Sequence, residues 1–85
     1  MFKKDSLGNT YYLSTKTNIE YQLLVGITNN GYTSDIVFIF REASTEEMEN
    51  DYYGEVIGWV YDGFNDFDFI EKKIINYEKK ELDKN

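Results

Sequence analysis

Residues 19–40 leave this chain few ways to fold. Ile19, Tyr21, Leu23, Val25 and Ile27 alternate with Glu20, Gln22, Leu24, Gly26 and Thr28, the period-2 pattern of a strand that buries one face. Asn30-Gly31 then supplies the pair best suited to a tight hairpin turn, because both residues tolerate positive φ. A near-continuous apolar run, Ile36-Val37-Phe38-Ile39-Phe40, returns after it. A two-residue turn at Asn30-Gly31 sets Val25 opposite Ile36, Leu23 opposite Phe38 and Tyr21 opposite Phe40. That register makes one apolar side, which we take as the core side.

The remaining elements build outward from this hairpin. Residues 2–4 and 10–15 read as short strands joined by Asp5-Ser6-Leu7-Gly8-Asn9. In that turn Asp comes early and a left-handed Gly late. Ser44-Thr45-Glu46-Glu47 matches a capping box, predicting a short surface helix from Thr45 to about Tyr53, with Gly54 as its stop. Residues 55–61 form a further strand, with Val56, Gly58 and Val60 on one side and Ile57, Trp59 and Tyr61 on the other. The segment before it leaves its direction, parallel or antiparallel, open. Asn65 suits the N-cap of a terminal helix whose buried face is Phe67, Ile70, Ile74 and Tyr77, widened by Ile75 and Leu82. The expected class is α+β: a small antiparallel sheet of four to five strands, the C-terminal helix on one face, and a short helix before the last strand. With 85 residues, the chain 1–85 is a single domain.

Charge is distributed unevenly along this framework. Residues 42–71 hold ten acids (Glu42, Glu46, Glu47, Glu49, Asp51, Glu55, Asp62, Asp66, Asp68 and Glu71) and no Lys, Arg or His. Seven aromatics lie between them: Tyr52, Tyr53, Trp59, Tyr61, Phe64, Phe67 and Phe69. The flanking segments are slightly basic, +1 over residues 1–41 and +2 over residues 72–85, so the −10 of this block accounts for the whole excess behind the net charge of −7. Asp66 and Asp68 belong to a helix start, where acids complement the dipole, and Glu71 is placed to pair with Lys on its own helix. The stretch from Glu46 to Asp62 keeps its acids and aromatics without such duties, Glu47 excepted.

Several functions are disfavoured by what is missing. Without His or Cys there is no Ser-His-Asp or Cys-His arrangement, no disulfide and no usual zinc ligand set, and no enzyme, metal or cofactor is expected. Asp62-Gly63-Phe64-Asn65-Asp66-Phe67-Asp68 offers oxygen ligands but not the spacing of a calcium loop. The scattered glycines make no phosphate loop. Net acidity opposes direct contact with nucleic acid or an anionic membrane. Lacking a signal-like start and any apolar run of ~18–20 residues, the chain reads as cytoplasmic.

A compact acidic domain can instead occupy the basic groove of a nucleic-acid-binding protein and compete with the nucleic acid itself. In size, acidity and absence of catalytic residues the chain resembles the small phage-borne inhibitors of host nucleic-acid enzymes, such as anti-CRISPR proteins and uracil-DNA glycosylase inhibitors. That likeness is one of composition and carries no residue over. It implies a non-enzymatic binding protein of phage or mobile-element origin, anti-CRISPR-like or anti-restriction-like, that mimics nucleic acid. The residues expected to contact a basic partner are Glu46, Glu47, Glu49, Asp51, Tyr52, Tyr53, Glu55, Trp59, Tyr61 and Asp62, acids for charge and aromatics as desolvated anchors. The alternative is a small cytosolic adaptor or self-associating protein, a homo-oligomer for instance, whose interface is aromatic.

Overall fold

The computed structural model describes residues 1–26 and 36–83. Its elements are β1 (Phe2–Lys4), β2 (Thr10–Leu13), β3 (Glu20–Val25), β4 (Ile36–Arg41), α1 (Thr45–Glu49), β5 (Glu55–Tyr61), a 3-10 turn (Gly63–Asn65) and α2 (Phe67–Asp83). The strands form one sheet in chain order, each antiparallel to its neighbours. The expected α+β arrangement is therefore present. The direction of the strand at 55–61, open in the sequence, is antiparallel to β4.

Local chemistry accounts for the early connections. The Asp5 carboxylate accepts from the N–H groups of Leu7 and Asn9, both at 2.9 Å, and Gly8 closes the turn at φ +86°. These contacts, led by the Asn9 N–H, hold the Asp5 carboxyl below its ordinary range. The Ser14 N–H donates to the Ile19 carbonyl across the β2–β3 turn, where Asn18 takes a left-handed φ of 63°.

The core lies between one sheet face and α2. It contains Tyr12, Tyr21, Leu23, Val37, Ile39 and Val60 from the sheet, and Ile70 and Ile74 from the helix. Its composition corrects the expected hairpin register by one residue. Leu23 faces Ile39, Gln22 faces Phe40 and Val25 faces Val37, so Val37 and Ile39 point inward while Phe38 and Phe40 point away. The Asn30-Gly31 turn itself lies outside the described residues. The apolar run of β4 suits either register, and packing decides between them. Gly63 comes so close to β4 that a Cβ on it would lie 2.8 Å from the Val37 Cβ. A phenylalanine pointing inward has no room there. Val25, expected inside, is exposed at the end of β3.

Two further expectations shift. Between Ile39/Gly58 and Phe40/Val56 the β4–β5 register slips, leaving Ile57 as a bulge. Ile57 consequently packs on the core beside Val60, whereas Val56, Trp59 and Tyr61 are exposed. The terminal helix begins at Phe67, later than an Asn65 N-cap implies. Asp66 Oδ1 accepts from the Phe69 N–H at 3.3 Å, while Asn65 sits in the 3-10 turn and donates to Asp62 Oδ1 at 2.8 Å. Ile70 and Ile74 are fully buried and Tyr77 half-buried as expected, but Phe67 is at the margin and Ile75 faces outward. Seventeen residues of helix on a narrow sheet bury a thinner stripe than the sequence pattern suggests.

Candidate protein-binding surface

With α2 on one face of the sheet, the opposite face has no covering element among the described residues. The alternation that buries Tyr21, Leu23, Val37, Ile39 and Val60 necessarily sends their neighbours to this outer face. Leu24, Phe38 and Trp59 form one cross-strand row, Gln22, Phe40 and Val56 a second, and Ile36 and Tyr61 a third. Leu24 is 47% exposed, Val56 52%, Trp59 48% and Tyr61 67%. The Trp59 and Tyr61 rings meet edge to face, their centroids 5.0 Å apart at 87°. Phe38 is held down over Gly26, whose position leaves no space for a Cβ beside that ring. The result is a fixed, largely apolar surface of aromatic and aliphatic side chains.

α1 stands at one end of this face and is anchored by its first turn. Ser44 Oγ accepts from the Glu47 N–H at 3.1 Å and Glu47 Oε1 accepts from the Ser44 N–H at 3.0 Å, the reciprocal box expected from the sequence. The helix ends at Glu49, short of Tyr53, because Asp51 already turns left-handed at φ 65° before Gly54 is reached. No residue of α1 is buried. Arg41, the residue just before the acidic block, reaches back to it. Its Nη2 lies 3.0 Å from Glu47 Oε2, and its guanidinium sits 5.1 Å from the Tyr52 ring centroid. Glu47 and Tyr52 are thereby occupied in fastening α1 to β4.

The other expected site residues separate into groups. Glu46, Glu49, Asp51 and Tyr53 are exposed around α1. Glu55 Oε1 accepts from the Tyr77 hydroxyl at 3.2 Å, joining β5 to α2. Trp59 and Tyr61 belong to the outer face, and Asp62 lies past the far end of β5. The seven residues of β5 span roughly 20 Å at ~3.3 Å each, so the acids do not form one line. They form a cluster on α1 and an outlier at Asp62, with the aromatic rows between.

Two features escaped the sequence reading. Glu20 and Glu42 meet where β3 and β4 approach α1. There burial and, after it, the Glu20 carboxyl push the Glu42 carboxyl above its ordinary range. Together with Ile19, Ala43, Ser44, Thr45 and Met48 they line a groove beside α1. Beneath α2, Glu78 is only 7% exposed and accepts three hydroxyl hydrogen bonds: from Ser14 at 2.9 Å, Thr17 at 2.7 Å and Tyr21 at 2.9 Å. Burial first, and the Glu78 carboxylate second, push the Tyr21 hydroxyl far above its usual range. The spacing Ile70, Ile74, Glu78 continues the buried stripe at i+4, the signal that was available.

The electrostatics of α1 have a measurable consequence. The Ser44 backbone N–H, and after it the Arg41 guanidinium, hold the Glu47 carboxyl below its ordinary value of 4.5 against partial burial. A depressed folded-state value stabilises the fold above pH 4.5 and ceases to do so as pH falls through it. A 13C titration should place the Glu47 midpoint below 4.5, with α1 amides exchanging faster on the acid side. A midpoint at or above 4.5 contradicts the box geometry. Among the described residues no cluster of three or more His, Cys, Asp or Glu is set to hold a metal ion, and no helix is long and apolar enough to cross a membrane. No protein-family model, curated protein or solved structure is significantly similar to this chain.

Proposed function

We propose that the chain is a non-enzymatic binding protein that seats its uncovered sheet face on a partner protein with a basic surface. The observation that carries this reading is the outer face itself: Leu24, Val56, Trp59 and Tyr61, each about half exposed or more, with carboxylates at both ends of β5. An apolar centre with a charged rim is the anatomy of a specific protein interface. Here the rim is acidic, through Glu46, Glu49 and Asp51 on one side and Asp62 on the other. The complementary surface is apolar at its middle and rich in Lys and Arg around it. A nucleic-acid-binding protein carries such surfaces, and occupying one blocks its ligand by competition. This is the action of a phage or mobile-element inhibitor of the anti-CRISPR-like or anti-restriction-like kind. The cytoplasm is the compartment in which it would work.

The adaptor or self-association reading uses the same aromatic rows without the charge, and ionic strength separates the two. A tagged chain is used to recover its partner from cell extract, and the complex is then titrated from low to high salt. The competition reading expects affinity to fall steeply with salt. It also expects Glu46, Glu49 and Asp51 all changed to Lys to abolish low-salt binding without unfolding the chain, Glu47 being left in its box. Trp59→Ala should cost about 2 kcal/mol at any salt, the size of an interface anchor. Affinity independent of salt and of the acids would leave the aromatic adaptor as the function.

A further inference from the structure

β5 is the last strand of the sheet, with β4 as its one strand neighbour. Which of its backbone groups are left over follows from the ladder. Ile36 accepts from the Gly26 N–H and Glu20 accepts from the Glu42 N–H. The even residues of β4 therefore bond to β3, and Val37 and Ile39 turn their N–H and C=O toward β5. Their partners are Val60 and Gly58. The intervening residues Trp59 and Tyr61 direct N–H and C=O away from the sheet, and no described residue bonds to them. Four backbone groups thus stand in a row along an open edge.

These groups open into a groove of about 430 Å³ lined by Trp59, Val60, Tyr61, Asp66, Phe69 and Lys73. The Trp59 and Tyr61 rings form one wall. The other wall is α2, where the Lys73 ammonium sits 5.5 Å from the Phe69 ring centroid. We infer that this groove binds a short extended segment of another polypeptide, which adds to β5 as a sixth strand and alternates apolar with basic side chains. Strand addition takes its affinity from main-chain hydrogen bonds and its specificity from pockets for alternate side chains. Residues of the segment pointing to the outer face meet Trp59 and Tyr61. Those pointing to α2 meet Phe69, with the Lys73 ammonium held over its ring, and the carboxylates of Asp66 and, at the end of the edge, Asp62, which outnumber that one cation.

Two features of the chain select this occupant over a second copy. Pairing β5 with itself brings two molecules, each of net charge −7, edge to edge, which their repulsion opposes. The bulge at Ile57 interrupts the edge, so a long isologous ladder has no regular register and a short segment fits the part from Gly58 to Tyr61. The opposite edge, β1, is three residues with Lys3 and Lys4 exposed, a form that resists strand pairing. The groove shares the Trp59 and Tyr61 rings with the sheet-face interface proposed above and adds to them the backbone edge of β5 and the flank of α2.

The test uses the whole chain, 15N-labelled, and the probe acetyl-Lys-Val-Lys-Val-Lys-Val-amide. Saturable binding is expected with a dissociation constant on the order of 10⁻⁴ M, a value usual for a short strand. The amides of Trp59 and Tyr61 should shift and become protected from exchange. Of two peptides N-methylated on alternate amides, the one that loses the donors facing β5 should bind at least ~10-fold more weakly. The Glu-Val counterpart should bind worse than the Lys-Val peptide. Tyr61→Pro, which removes an outward N–H without touching the β4 ladder, should weaken binding well beyond the loss that Tyr61→Ala shows from removing the ring alone. The Lys triple variant at Glu46, Glu49 and Asp51 should keep binding, which separates this site from the α1 rim. The inference is overturned by any of three results. These are no saturable change at Trp59 and Tyr61 up to about 5 mM peptide, well beyond the expected constant; equal binding of both methylated peptides or of the Glu-Val peptide; or a free chain that sediments as a dimer with those two amides already protected.

Discussion

Glu78→Ala should lower the free energy of unfolding by about 3 kcal/mol, because three hydroxyl groups lose their common acceptor beneath α2. Ser14 and Tyr21 are as buried as the carboxyl they serve, and water cannot replace it without opening the helix. Thr17 is nearer the surface and recovers part of its loss. Glu78→Gln keeps an acceptor oxygen and the side-chain volume, and hydroxyls can reorient around the new amide, so about 1 kcal/mol is expected. Urea unfolding of the two variants is the measurement. Equal, small losses would mean that the cluster is a solvated contact and that α2 is held by Ile70 and Ile74 alone.

Ile39→Ala should cost about 3 kcal/mol, the usual loss for a fully buried aliphatic side chain left as a cavity. Phe38→Ala, next along the strand, should cost about 1–2 kcal/mol although more atoms are removed, since its ring is only half-buried on the outer face. The comparison reads the register directly. A hairpin closed by two residues at Asn30-Gly31 puts Phe38 inside and Ile39 outside, and reverses the order of the two losses. Finding Phe38→Ala the more damaging would restore that register.

Much of the architecture was legible because local and long-range signals agreed. The Ser44-Thr45-Glu46-Glu47 box, the Asp5–Asn9 turn, the alternation through β3 and the Ile70/Ile74 spacing each identify an element by chemistry within a few residues. Where the reading slipped, the deciding contact lay far away in the chain. The inward choice of Val37 and Ile39 depends on Gly63, and the outward choice of Val56 depends on a bulge opposite Ile39. Neither is visible in the strand that obeys it. The acidic block is a similar case. Its residues are contiguous in sequence, yet Arg41 claims Glu47 and Tyr52, Tyr77 claims Glu55, and the length of β5 carries Asp62 away from the rest. The outer face was missed as a surface because its rows draw one residue from each of several strands.

A sheet whose strands pair only with their chain neighbours also bears on how the protein reaches its structure. Each strand pairing from β1 to β5 closes a short loop, so the sheet can zip from either end at little cost in chain entropy. The bond from Glu78 to Ser14 spans 64 positions and closes only when α2 has crossed the finished sheet. Helix docking is then the step with the long search. Until it happens both faces of the sheet lack a covering helix, and among the described residues the outer one gains none afterwards. A chain of this topology is expected to be apolar on two sides before its helix docks, and a net charge of −7 opposes association of neighbouring molecules during that interval.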